Sequence, residues 1–307
     1  MKIENAYSLD SDEVIDAEIA YDYYWAGIIK DKRNFECPAG NCTTQITCAN
    51  LDKIRQDMKV DPYFKSIGEH EPGCELVAEI LNKEVKTASI NETQKSRAKK
   101  CEELPDIFGL SRPKSHLEKK QSVSEDKNIL SLEGKKQKKA TEFRTGRKQS
   151  STHYSLRAFV SKFLRYKSQN LLAQRYINIK GYDVSYQEMF VEISGQNLED
   201  LSKYPRVYFG KAFIDRRRES DYSATFEESL SLDGKFLRPS TYISETLINK
   251  AFTKKLSQEK FDDLSRKNYP SAWVFAYGVP KKKVVNDKQY ININIANLDY
   301  FDLREGI

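Results

Sequence analysis

Apolar and polar positions follow two different rhythms along this chain, separated by a long stretch that keeps neither. From Ser11 the run SDEVIDAEIAYDYYWAGII places Val14, Ala17, Tyr21, Tyr24 and Trp25 near one side of a helix. Ser11 can cap it, and Asp12 and Glu13 suit the positive end of its dipole. Residues 1–10 ahead of it read as a mobile start. Gln45-Ile46-Thr47-Cys48 alternates like a strand, Leu51 to Met58 reads as a short helix, and Glu75 to Leu81 as a helix that closes the first part.

Between Lys83 and Ser150 the periodicity is lost. Lys, Ser, Glu and Gln dominate there, and apolar residues are too dilute to offset the entropy of ordering the backbone, which predicts a disordered linker. Order returns at Ser155, where Leu156, Phe159, Val160, Phe163, Leu164 and Leu171 mark an amphipathic helix. The texture then turns to strand. Gln174 to Ile179, Tyr204 to Ile214, Tyr222 to Leu230, Ala272 to Val279 and Gln289 to Asn297 carry aromatic and β-branched residues. A helical stretch from Ser244 to Lys267 lies between the third and fourth, and Val184 to Leu201 fits either a helix or an extra strand.

The pattern predicts an α+β protein: a small module over residues 1–82, a linker over 83–150, and a β-rich domain with flanking helices over 151–307. Five strands with a helix between the third and fourth is the element order of an OB-like barrel. The full length of 307 residues is ample for two such parts.

Charge divides along the same boundaries. The net +6 is the balance of −8 over residues 1–82 (eight Lys and Arg against sixteen Asp and Glu), +8 over 83–150 and +6 over 151–307. An acidic module repels phosphates, so any grip on nucleic acid is expected further along the chain. No apolar run approaches membrane-spanning length, and Met1 to Tyr7 lacks an apolar signal core, so a soluble, cytoplasmic protein without membrane contact is expected.

Four of the five cysteines fall between Phe35 and Cys74, with one of only three histidines. Cys37 and Cys42 flank a tight knuckle, Cys-Pro-Ala-Gly-Asn-Cys, and His70 precedes Cys74 by four residues. Two local pairs of thiolate and imidazole ligands suit a tetrahedral, structural Zn²⁺. Cys48 competes for a place in that set in exchange for His70, and the plain alternative is a group of unrelated thiols beside a satisfied histidine. The aromatic, the Cys-Pro-x3-Cys, the short β run, Phe64 and the His-x3-Cys together resemble the zinc-binding segment that opens the competence protein CoiA-like family of bacteria. The resemblance covers residues 14–76. It implies a bacterial protein that handles incoming DNA, with a nuclease-like domain after the zinc segment.

The rest of the chain departs from that implication. A metal-dependent nuclease needs clustered carboxylates and usually a lysine two residues after one of them. The best group is Asp183, Glu188 and Glu192, but Glu192-Ile193-Ser194 puts serine in the lysine position, and Glu133-Gly134-Lys135 lies in the linker. His116 also lies in the linker. Two basic runs suit nucleic acid better: Arg216, Arg217 and Arg218 between the second and third strands, and Lys281, Lys282 and Lys283 between the fourth and fifth. With Tyr208 and Tyr277 as stacking partners, and Tyr222 and Tyr290 nearby, they suit DNA or RNA, single strands above all. Hairpin loops are also charged for solubility alone, and barrels bury aromatics as core. Within the linker, Lys135 to Lys139 form a basic island that can track phosphates, stay solvated, or fold back onto the acidic module. Leu104 to Leu110 forms an apolar patch, either a docking peptide for a protein partner or a piece packed on the chain's own domain. The expected function is therefore a zinc-containing nucleic-acid binder, with a protein–protein adaptor and a metal-dependent nuclease as alternatives.

Overall fold

The computed structural model describes residues 3–54, 58, 60–78, 80–81, 105–112, 137, 139, 141 and 152–306. The chain forms two compact units, and Ile107–Arg112 belongs with Thr152–Ile307 in the second. Both units mix helices with sheets, as an α+β chain should.

The first unit is built on five strands. β1 (Asn5–Ser8) and β2 (Glu13–Asp16) form a hairpin, helix α1 (Ala17–Trp25) follows, and β3 (Phe35–Glu36), β4 (Gln45–Ala49) and β5 (Tyr63–Ser66) complete an antiparallel sheet in the order β2-β1-β3-β4-β5. Residues 1–10 are thus not a mobile start where described, because Ala6 and Tyr7 are fully buried in β1. The expected helix from Ser11 begins later. Asp12 takes a left-handed backbone (φ 57°) that turns the hairpin, the Tyr7 hydroxyl donates to its carboxylate, and Asp16 caps α1 by accepting from the Ile19 N–H at 2.8 Å. Residues 51–54 form a turn in place of a helix, whereas 75–78 and 80–81 are helical as expected.

In the second unit, β6 (Asp106–Phe108) pairs in parallel with β7 (Thr152–His153). Helix α2 (Leu156–Ser168) then starts at Ser155, whose hydroxyl accepts from the Arg157 N–H. β8 (Tyr176–Ile179) and β9 (Tyr182–Ser185) extend the small sheet to the order β7-β6-β8-β9. After α3 (Tyr186–Met189), β10 (Phe190–Glu192) lies parallel to the long β11 (Arg206–Arg216). β12 (Tyr222–Phe226), the hairpin β13 (Leu230–Leu232) and β14 (Lys235–Leu237), and β15 (Pro239–Ile243) follow. The expected long helix is two, α4 (Glu245–Lys250) and α5 (Lys254–Ser265), since Ala251 turns extended (ψ 139°) between them. β16 (Ser271–Gly278), β17 (Pro280–Val285), β18 (Lys288–Ile293) and β19 (Phe301–Arg304) close the chain.

The main sheet runs β17-β18-β15-β12-β11-β16-β19, with β10 also on β11. It has eight strands in place of five, and among the described residues no pairing joins β17 to β19. Three strands escaped the sequence pattern: β15 and β17 begin with proline, and β19 is only four residues long. Helix α2 packs Phe163 on Phe190 (ring centroids 4.2 Å apart) and edge-on against Phe209, while Phe261 of α5 stacks on Tyr222 at 5.1 Å from the opposite side of the sheet.

The apolar patch in the tract read as linker has a place in this core. Phe108 is buried, with Phe159, Tyr277 and Tyr300 around its ring at 4.7, 5.2 and 5.8 Å. Arg112 pairs with Asp299 through two hydrogen bonds of 3.0 Å and lies 3.9 Å over the Phe252 ring. Ile107 and Phe108 are therefore built into the second unit, pairing with Thr152 and His153. Leu104, the other cations of the basic island, His116 and Glu133 to Lys135 lie outside the described residues.

Candidate metal centre and basic sheet face

Two short turns bring the first unit's cysteines together. β3 ends at Glu36, the chain folds through Pro38 to Cys42, and the Cys37 N–H donates to Thr44 across the knuckle at 2.8 Å. The second turn places Cys74 after Gly73, whose positive φ of 77° a side chain would strain, with the Cys74 N–H donating to the Glu71 carbonyl at 3.0 Å. Asn41 and Glu71 stitch the two turns together. The Asn41 amide donates to the Gly73 carbonyl at 2.8 Å, and Glu71 accepts from the Thr43 N–H and hydroxyl at 3.0 and 2.5 Å.

The ligand atoms of Cys37, Cys42, His70 and Cys74 all lie within 4.8 Å of one another, close enough to hold a metal ion. Three of the six ligand-to-ligand distances are close to those of a coordination shell. Bonds of about 2.3 Å to sulfur and about 2.0 Å to nitrogen in a tetrahedron put neighbouring ligands roughly 3.6–3.8 Å apart. Cys37 Sγ and Cys74 Sγ are 3.7 Å apart, and His70 Nδ1 is 3.6 Å from Cys74 Sγ and 3.4 Å from Cys42 Sγ. The histidine thus offers Nδ1 to the cluster, while its buried Nε2 has no hydrogen-bond partner among the described residues. Cys48 is excluded from the set, since it sits in β4 opposite Phe64.

The thiols are prepared unequally. Burial pushes Cys42 up, but hydrogen bonds from the Thr44 hydroxyl and backbone, the Glu71 backbone and His70 outweigh it and lower its pKa to about 6. Burial pushes Cys37 well above the ordinary thiol range, and the neighbouring Cys74 and Cys42 add to the rise. Among the described residues no second group of this kind forms, and Asp183, Glu188 and Glu192 do not converge.

The residues expected to touch nucleic acid are dispersed. Tyr208 is fully buried and Tyr277 is 7% exposed, capped by Phe108 and Tyr300, with burial pushing its pKa up to about 12. Neither ring has an open face for a base, and Tyr222 is likewise buried. Arg216 is tied to Asp262 and the Tyr222 hydroxyl, Arg217 to Ser223 and Asp215, and Arg218 approaches Asp221, so acidic partners already balance this turn.

Lys281 to Lys283 are not in a loop. They belong to β17, which is exposed from Lys281 to Val285. Directly opposed residues of an antiparallel pair share a face, and successive residues alternate between faces. Lys281 stands opposite Asn292, Lys283 opposite Tyr290, and Val285 opposite Lys288, so Lys281, Lys283, Lys288 and Tyr290 share one face. Ser240 of β15 pairs with Asn292, which carries the same face on to Tyr242. Tyr290 and Tyr242 are 47% and 46% exposed. Lys282 points the other way and pairs with Asp233 at 3.0 Å. Tyr242 and Lys288 were missed by sequence reasoning, and Tyr290 stood among several tyrosines; only strand register separates these from Tyr208.

No protein-family model, curated protein or solved structure matches this chain. Among the described residues no helix is long and apolar enough to cross a membrane.

Proposed function

We propose that this protein binds single-stranded nucleic acid on the open face of its second-unit sheet, with a structural Zn²⁺ stapling the first unit. The observation that carries the reading is the shared register of Lys281, Lys283 and Lys288 with Tyr290 on one exposed face, continued by Tyr242. Lysines neutralise phosphates, and an exposed tyrosine stacks with any base, which favours a strand whose bases are unpaired. Zinc is the metal that three thiolates and an imidazole suit best. The first unit's likeness to the CoiA-like zinc segment fits a role with DNA in a bacterial cytoplasm. A protein adaptor is the less favoured reading, because Ile107 and Phe108 of its proposed docking patch are taken up by the fold.

The test is binding to labelled single- and double-stranded DNA and RNA across a salt series. A single strand should bind with a steep salt dependence. Changing Lys281, Lys283 and Lys288 together to Gln should flatten the log–log slope by roughly two, at about 0.7 per phosphate contact. The matching change of Arg216, Arg217 and Arg218 should leave most of the slope in place. Binding without salt dependence, or a slope insensitive to the lysines, would remove the reading.

A further inference from the structure

The first unit holds a cation that its own strands and turns do not supply. Lys139 is 2% exposed, although it comes from the most basic stretch of the sequence. Its ammonium lies 2.7 Å from the Glu36 carboxylate and 3.3 Å from the carbonyl oxygen of Cys42, and 5.2 Å over the Tyr7 ring. Residues 137, 139 and 141 are helical, and the Thr141 hydroxyl donates to the Gln137 carbonyl at 2.9 Å.

Burying an ammonium costs several kcal/mol unless it is paired and hydrogen-bonded. This one has a carboxylate, a carbonyl and an aromatic face, and two of those three bear directly on the metal cluster. Glu36 immediately precedes Cys37, and the accepting carbonyl is that of Cys42. A centre of three thiolates and one imidazole around a dication carries a formal −1, inside a module whose own balance is −8. Among the described residues no other lysine or arginine bonds to Cys37 or Cys42.

We infer that Lys139 is an outer-shell residue of the metal centre: a lysine delivered by the basic tract, which fixes the Glu36 to Cys42 knuckle and offsets the negative charge of the loaded cluster. The acidic module is then the docking surface for this segment of the same chain. Seating of Lys139 and metal loading favour each other, and the coupling is reciprocal: what strengthens one strengthens the other by the same factor. The inference rests on the metal reading of the four ligands and adds a residue that no ligand motif would include.

The experiment uses the full chain with zinc as the probe. Zinc affinity is read by competition with a chromophoric chelator for the unaltered protein, Lys139→Met and Lys139→Arg. Separately, a pulse of an amine-acetylating reagent is followed by mass spectrometry of Lys139 and of the exposed Lys283 in zinc-loaded and chelated protein. Outer-shell partners are typically worth 10–100-fold in metal affinity, so Lys139→Met should weaken zinc binding by about tenfold and Lys139→Arg should recover most of it. Acetylation of Lys139 should be at least about tenfold slower than that of Lys283 in the zinc-loaded protein and should lose that protection after chelation, which opens the first unit, with Lys283 unchanged. The labelling needs no variant, so a misfolded Met substitution does not decide the matter. Equal acetylation of Lys139 and Lys283 in the zinc-loaded protein, or unchanged affinity in Lys139→Met, overturns the proposal while leaving the metal reading standing. Absence of zinc binding by the unaltered protein overturns both.

Discussion

The side-chain amide of Asn41 donates to the carbonyl of Gly73 at 2.8 Å, so a residue in the middle of the first metal turn holds the residue just before the last ligand of the second. The same amide's oxygen accepts from the Glu75 N–H at 3.4 Å, and Asn41 thereby acts as a piece of backbone bridging two distant stretches.

Asn41→Ala should therefore loosen the cluster without removing a ligand. Zinc affinity is expected to fall about tenfold, the lower end of the range for outer-shell changes, with metal still bound at the same stoichiometry. Chelator competition measures this. Cys37→Ser and His70→Ala should instead abolish stoichiometric metal, and Cys48→Ser should retain it.

Metal entry must expel protons, because thiolates and not thiols are the ligands. Cys42, lowered to about 6, is already ionised at neutral pH, whereas burial keeps the Cys37 proton in place. Binding at pH 7 should thus release about one proton or more, and zinc affinity should weaken as pH falls. Calorimetry in buffers of differing ionisation enthalpy reads the count. A buffer-independent heat would contradict the assigned ligand set.

Stripping the metal should unfold the first unit. Structural zinc contributes on the order of 10 kcal/mol of apparent folding free energy, more than a module of this size can replace from its core. Chelation is expected to abolish amide-exchange protection in β1 to β5 and to leave that of β11, β12 and β16 intact.

Phe108→Ala should destabilise the second unit by about 3–5 kcal/mol, the usual cost of emptying a buried aromatic site. Thermal denaturation tests it. A surface docking residue would give a change near zero.

Tyr290→Ala should weaken single-strand binding by about 1–3 kcal/mol and leave the salt slope unaltered, since stacking releases no counterions. Tyr208→Phe should change neither affinity nor slope, because that ring is enclosed.

The two candidate sites differ in how far the sequence reveals them. Cys37, Cys42, His70 and Cys74 were legible because each pair is held by a turn of a few residues, and turn geometry is local. The sheet face was not. Tyr208 and Tyr290 both sit in alternating strands, and which side each takes depends on pairing with residues far away in the chain; Tyr277 is closed off by Phe108, more than 160 residues earlier. β17 passed for a loop because three consecutive lysines suit an exposed strand at the margin of a sheet as well as they suit a turn. The long helix expected from Ser244 split for a similar reason: the apolar spacing continues through Ala251 while the backbone does not.

β17 is the terminal strand of its sheet among the described residues, and Val284 and Val285 are 58% and 43% exposed there. Such a margin invites a neighbouring molecule to add a strand, and like charges on Lys281 to Lys283 keep identical chains apart. A polyanion that neutralises these lysines would lift that repulsion locally, so crowding many copies along one strand brings them closest to self-association.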